Sequence, residues 1–238
     1  MDFLNSIILL TNFIIVPGIT YGSQLALGAI GVTLIYGVLR FANFAYGDLM
    51  AFGTMVVILM TWYLQSKGIS FGLLPTALLA LPIGILLTIA VSLFFDKTVF
   101  EYYRNKKSNP VTFIVVSLGI MFVLNAVVRI IIGPNDINFM DGHKFIMKAR
   151  EFKQLTGLNE GLAIKSTQVI TLVTTIITCS ILFYFLNKTK TGKSMRAYSN
   201  NEDLALLSGI DPKKIVLITW VIVSILATVA GTLYGLDK

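Results

Sequence analysis

Six stretches of this chain run for roughly 20 residues with almost no ionisable side chain. A helix rising about 1.5 Å per residue needs that length to cross about 30 Å of hydrocarbon. Inside a bilayer no water satisfies backbone N–H and C=O groups, so a spanning segment pairs them within a helix or in a closed barrel. Barrel strands alternate apolar and polar residues, whereas these stretches are apolar all round. The expected fold is therefore all-α: a polytopic transmembrane helical bundle, one domain over residues 1–238, with about six spans. Only 13% of the side chains are charged and 55% are hydrophobic, against about a quarter charged in soluble domains. A lipid bilayer is the solvent such a surface suits.

The spans are expected at about 18–39, 48–65, 73–95, 111–132, 167–187 and 213–236. Phe3 to Val16 is also apolar but short for a crossing, and it ends at Pro17-Gly18, a pair that interrupts a helix. A half-span and a helix lying in the interface both remain open for it. The N-terminus, Met-Asp-Phe-Leu-Asn, lacks the basic region of a cleaved signal peptide, so insertion through the chain's own spans is expected. Gly18, Gly22 and Ala26 recur every fourth residue, a spacing that lets helix backbones approach in lipid. No tandem repeat and no low-complexity linker divides the chain.

A net charge of +7 raises the question of nucleic acid, but the basic residues gather beside the apolar spans rather than on a soluble face. Retention of positive loops in the cytoplasm explains them, and no nucleic-acid partner is expected. Lys97, Arg104, Lys106 and Lys107 follow the third span, and Lys188, Lys190, Lys193, Arg196, Lys213 and Lys214 follow the fifth. Two crossings separate these groups, so they share a face, which the rule makes cytoplasmic. Residues 133–165 then lie outside, with Lys144, Lys148, Arg150, Lys153 and Lys165 mostly away from the span ends.

Almost nothing ionisable lies deep in a span. Arg40 and Asp48 sit near span ends, Arg129 lies close to an outer end, and the single histidine, His143, belongs to the external connection. Ion-coupled carriers place ionisable side chains inside the bundle, so the driving energy is expected from a partner. No Ser-His-Asp, HExxH or paired-carboxylate arrangement occurs, and no catalytic residue, cofactor or metal is expected. Cys179, the lone cysteine, reads as packing. Gly192-Lys193-Ser194 matches the tail of a phosphate-binding loop, but the glycine required five residues earlier is Asn187. A solvated basic loop is the expected role there.

Residues 189–214 are too polar to span and too well punctuated for a slack loop. Asn200 or Asn201 supplies a helix cap, Glu202 and Asp203 complement the first-turn dipole, and Gly209 ends the helix in a left-handed conformation. Asp211 with Pro212 then begins the sixth span. So short a helix needs something to pack on, either its own chain or a partner, and it is expected to expose Leu204, Leu206 and Leu207 around Ala205.

At this segment the chain resembles the cytoplasmic coupling loop of ABC importer permeases, whose hallmark is Glu-Ala-Ala, three residues, then Gly. Here Asp203-Leu204-Ala205 precedes Leu206-Leu207-Ser208 and Gly209, with Leu204 at the middle position. Residues 18–57 are similar to the N-terminal signature of LivH-type permeases of branched-chain amino-acid importers, which read Asn-Phe-Ala-His-Gly-Asp where this chain has Asn43 to Asp48, with Tyr46 in place of His. The resemblance covers essentially the whole chain in order. It implies a second permease subunit, cytoplasmic ATP-binding subunits, a periplasmic substrate-binding protein and residence in the bacterial inner membrane. The implied cargo is leucine, isoleucine or valine, with urea, short amides and other amino acids as alternatives within the family. It makes Asp203, Leu204, Ala205, Leu207 and Gly209 the ATPase-coupling loop, while Asn43 and Asp48 are either pathway residues or the closure of a structural turn. The family continues for about two further spans, so the chain is expected to be shortened, leaving surfaces such as the Gly231 face of the sixth helix unpaired.

Overall fold

The computed structural model describes residues 2–69, 72, 74–133, 137, 139, 145–156 and 160–237. The helices among them are α1 (Asp2–Leu10), α2 (Val16–Leu39), α3 (Tyr46–Ser66), α4 (Ala77–Phe95), α5 (Glu101–Asn105), α6 (Pro110–Ile132), α7 (Ala149–Thr156), α8 (Ser166–Lys188), α9 (Lys190–Asn200), α10 (Glu202–Leu207) and α11 (Pro212–Asp237). Two π-helical turns, Thr11–Ile15 and Asp96–Phe100, join α1 to α2 and α4 to α5 without a break. Six helical rods are long and apolar enough to cross a membrane: Asn5–Leu39, Tyr46–Ser66, Ala77–Asn105, Pro110–Ile132, Ser166–Lys188 and Pro212–Asp237.

Two of these rods correct the sequence reading. Pro17-Gly18 does not interrupt the first helix. Residues 3–16 are continuous with the first span, in one helical rod. Proline lacks an N–H and crowds the carbonyl four residues back, which breaks a regular helix. Here the turn just before it is widened, with the Val16 N–H donating to the Thr11 carbonyl, so the backbone has shifted register by the time it reaches Pro17. The third span likewise runs on past residue 95 through its π turn, so Lys97 and Arg104 lie on helix rather than in a connection.

α11 is the central rod. Of its apolar window 72% is buried, against 6% for the fifth span, which stands at the periphery. Hydrocarbon gives helices no hydrophobic reason to associate, so contact depends on small residues and interhelical hydrogen bonds. A Cβ on Gly53 would sit 2.7 Å from Thr228 Oγ1 and 2.9 Å from Thr88 Oγ1, and one on Gly84 would collide with Val57. The Ser224 hydroxyl meets that of Ser92 at 2.6 Å, and Gln24 Nε2 donates to the Leu233 carbonyl at 3.3 Å. Buried Thr61, Thr88, Thr219 and Thr228 return their hydroxyls to the carbonyl four residues back, which satisfies them inside the bundle.

The Gly231 face, expected to be unpaired, is buried against α3: a Cβ there would collide with Thr54 Oγ1 and stand 2.9 Å from the Met50 carbonyl oxygen. The Gly18, Gly22 and Ala26 row is exposed, with nothing among the described residues within 4 Å of a Cβ at either glycine; α2 buries Thr20, Gln24, Leu27, Gly31, Ile35 and Val38 instead. In the connection after the fourth span, β1 (Phe145–Met147) pairs antiparallel with β2 (Ile164–Lys165). Asn12 ties it to the first span, donating to the Gly161 carbonyl at 2.7 Å and accepting from the Ala163 N–H at 3.1 Å. His143, Asp136, Asp141 and Lys144 lie outside the described residues.

Gly231→Val is expected to destabilise the bundle by about 1–3 kcal/mol through overpacking against α3. Gly22→Val, facing open space, should change little. Thermal unfolding of the two variants in the same detergent checks the contrast.

Candidate coupling helix and broken second span

The polar segment after α8 is two helices, not one helix after a loop. The Thr189 hydroxyl accepts from the Gly192 N–H at 3.0 Å and caps α9, so Gly192-Lys193-Ser194 is the first part of a helix rather than a solvated loop. Gly192 is required because a Cβ would collide with the Phe185 carbonyl oxygen and lie 2.6 Å from Leu186 Cα. The signal for α9 was the threonine cap, which the basic residues around it obscured.

Asn201, not Asn200, caps α10: its Oδ1 accepts from the Leu204 N–H at 3.0 Å. Glu202 and Asp203 occupy the first turn. At the other end Gly209 has φ +77°, and the Gly209 and Ile210 N–H groups donate to the Leu206 and Ala205 carbonyls at 3.0 and 3.1 Å, a paired closure that needs a left-handed residue. Asp211 Oδ1 then accepts from the Lys213 N–H at 2.9 Å, with Pro212 opening α11. Only three residues separate α10 from this cap, so displacement of the short helix is passed to α11 with little slack.

Ala205 corrects the sequence reading. It is buried among Val38, Met195, Tyr198 and Ile215, so its small size serves packing within the chain rather than the outer surface. The outer surface is leucine: Leu204 is 60% exposed and Leu207 85%. The Tyr198 hydroxyl donates to Glu202 Oε1 at 2.7 Å, and burial followed by this bond pushes the phenol pKa up, so it remains a donor at neutral pH. From α11 the link continues to the third span. Trp220 Nε1 donates to Asp96 Oδ1 at 2.8 Å, and Arg104 holds both oxygens of that carboxylate at 2.9 and 3.2 Å.

The second span is entered through irregular backbone. Between Arg40 and Ala45 the backbone is not helical, and this piece runs along α6 before α3 begins. Phe41 stacks on Phe113, the Phe44 N–H donates to Ser117 Oγ at 3.2 Å, and Asp48 Oδ1 accepts from Asn125 Nδ2 at 2.9 Å. Asn125 lies two-thirds of the way along the fourth span. Asp48 therefore sits in the first turn of α3 but well inside the bundle, rather than at its edge. Irregular backbone at this depth is tolerated only where protein satisfies it. Asn43 does so locally, its Oδ1 accepting from the Ala45 N–H at 3.0 Å, and Ser117 does so from across the interface. Arg129 Nε donates to Asn125 Oδ1 at 2.8 Å, completing an Asp48–Asn125–Arg129 chain. Tyr46 is buried with its hydroxyl against Gly31, where any side chain would collide with it. Sequence reasoning missed Ser117 and Asn125, although lone polar side chains within an apolar span were the available signal.

A protein family described as "Branched-chain amino acid transport system / permease component" matches residues 14–237. The chain belongs to that family. This permease is similar to the high-affinity branched-chain amino acid transport system permease protein LivH of Escherichia coli (strain K12), 27% identical over 222 residues, 92% of this chain and 68% of that one. It is also similar to BraD of Pseudomonas aeruginosa, 26% identical over 232 residues, 94% of this chain and 70% of the relative. A probable LivH of Methanocaldococcus jannaschii is 28% identical over 228 residues, 93% and 65% of the two chains. No solved structure matches the permease.

Asn125→Leu should leave the Asp48 carboxylate without its amide donor and lower stability by about 1–3 kcal/mol, the cost of an unsatisfied buried polar group. Thermal unfolding of the detergent-solubilised permease measures it.

Proposed function

We propose that this permease is the membrane subunit of an ATP-driven importer that moves leucine, isoleucine or valine across the bacterial inner membrane by alternating access. It works with a second permease subunit, two cytoplasmic ATP-binding subunits and a periplasmic binding protein. The observation that carries the reading is α10: a six-residue helix fixed at both ends, seated on its own chain through Ala205 and presenting Leu204 and Leu207 outward. Asp203 and Glu202 complement its dipole, and Gly209 sets its angle to α11. Family membership supports the cargo, and so does the wall it would meet, since a largely apolar bundle gives a hydrophobic amino acid no deep electrostatic trap. ATP hydrolysis belongs to the partner, whose closure moves α10, then α11 and, through Trp220 and Asp96, the third span.

The sidedness follows from charge. The Arg40 end of α2 and the connections at 106–109 and 189–211 meet at one end of the bundle, where Arg40 Nη2 donates to the Ser199 carbonyl at 2.9 Å. Those connections hold the densest basic residues, which supports placing that end in the cytoplasm. Asn43 and Asp48 close the broken turn, and that turn borders the path.

Two tests follow. In a background lacking Cys179, cysteines at Lys106 and Lys153 should be labelled from opposite sides of intact cells; labelling from one side would refute the topology. Leu204→Glu with Leu207→Glu should weaken ATPase association at least tenfold at equal membrane abundance, because both side chains are exposed and carry the docking face. Gly209→Val, which costs about 1–2 kcal/mol in a left-handed conformation, should insert yet lose ATP-driven leucine uptake. Wild-type uptake in all these variants would remove α10 from the coupling role.

A further inference from the structure

Where the ends of α2 and α5 meet α6, α9 and α10, they enclose a cavity of about 320 Å³. Arg40, Arg104 and Lys107 line it, and Glu202 is the one carboxylate among its lining residues. Two of these groups are already engaged: Arg104 with Asp96, and Glu202 with the Tyr198 hydroxyl. Arg40 donates only to the neutral carbonyls of Ser199 and Asn200, and Lys107 makes no ion pair among the described residues. Two positive charges thus face the cavity without a carboxylate of their own.

The backbone under both cations is unusual. Arg40 (φ 60°) and Lys107 (φ 51°) are the only non-glycine residues with positive φ among the described residues, while Gly68, Gly72, Gly133 and Gly209 fill the other such positions. Both stand just past a helix end, where glycine is the usual and less strained choice. Each closes a helix end: the Arg40 N–H donates to the Tyr36 carbonyl, and the Lys107 and Ser108 N–H groups donate to the Arg104 and Tyr103 carbonyls at 3.0 and 3.2 Å. Glycine would serve that closure with less strain, and the property these two residues share is that both side chains line one cavity.

The rest of the wall, including Phe41, Pro110 and Phe113, is apolar. Close in sequence to lining residues Arg40, Phe41 and Pro110, the apolar side chains of Tyr36, Phe44 and Val111 are 63%, 52% and 65% exposed. A soluble anion has no use for that surface, whereas a molecule with a charged head and acyl chains does.

We propose that this cavity seats the phosphate of an anionic phospholipid headgroup, held by Lys107 and Arg40 beside Arg104, with the acyl chains lying over Tyr36, Phe44 and Val111. Basic pockets between membrane helices suit such headgroups. The inference stands apart from the importer reading, because lipid retention is measured without ATPase or cargo.

The test is native mass spectrometry of the full chain in detergent, titrated with phosphatidylglycerol, with phosphatidylcholine of the same chains, and with inorganic phosphate. Phosphatidylglycerol should bind about twentyfold more tightly than phosphatidylcholine, at roughly fivefold for each unpaired cation. Lys107→Gly keeps the left-handed backbone and relieves its strain, so it should fold at least as well by thermal unfolding, yet lose about fivefold in phosphatidylglycerol affinity. Equal retention of the two lipids, or unchanged affinity in Lys107→Gly, would overturn the proposal. Tight binding of inorganic phosphate without selective lipid retention would assign the cavity to a soluble phosphate and overturn the lipid reading. Weakened ATPase association in Lys107→Gly with lipid binding intact would assign the cation to the protein partner and do the same.

Discussion

The constraint on which the rest of this structure depends is that a backbone amide inside hydrocarbon has no water to turn to. It forces the apolar stretches into helices and then dictates how every departure from regular helix is handled. Buried threonines fold their hydroxyls back onto their own helix. Two wide turns absorb a proline and a change of register without opening the hydrogen-bond ladder. Among the described residues, 40–45 leave helical geometry inside the bundle, with Asn43 and Ser117 beside them to take up the freed amides. Polar side chains in the bundle of this permease therefore serve either their own helix or a backbone group left without a helical partner.

The same constraint explains which features were legible in the sequence. Helical class and six spans follow from length and composition alone, since a bilayer sets the length of a crossing. The punctuation of α10 was legible because Asn201, Gly209, Asp211 and Pro212 each act locally. What stayed hidden depends on partners distant in sequence. Pro17 reads as a break until the widened turn before it is seen, and the Gly231 face reads as exposed until α3 is laid on it. Ala205 illustrates the point most simply: a small residue in a short helix says that something comes close, but not from which side.

Mechanically, the two ends of the bundle differ. At the end that gathers the basic connections, α9, α10 and the start of α11 form a continuous series of capped joints, and Asp96 fastens α11 to the third span by its bonds to Trp220 and Arg104. At the opposite end the connection after the fourth span is held by a two-strand ladder and by Asn12. The capped joints link α10 to α11 through short segments. Small residues on α11, among them Ser224, Thr228 and Gly231, let its backbone approach its neighbours closely, while Leu226 and Val229 in the same stretch fill the core between them.

The two π turns bear on how this sequence could change over time. A π turn holds one residue more than the α-helical turn it replaces, and each residue added to or removed from a regular helix rotates everything beyond it by about 100°. Losing one residue between Asp96 and Phe100, or between Thr11 and Ile15, would instead restore an ordinary turn, because the wide turn already holds the extra residue within one revolution. The helix on either side would keep nearly the same facing. Each wide turn therefore works as a seam: one residue of length is lost there without rotating the packed faces beyond it, an option closed to the uninterrupted helix at the centre of the bundle.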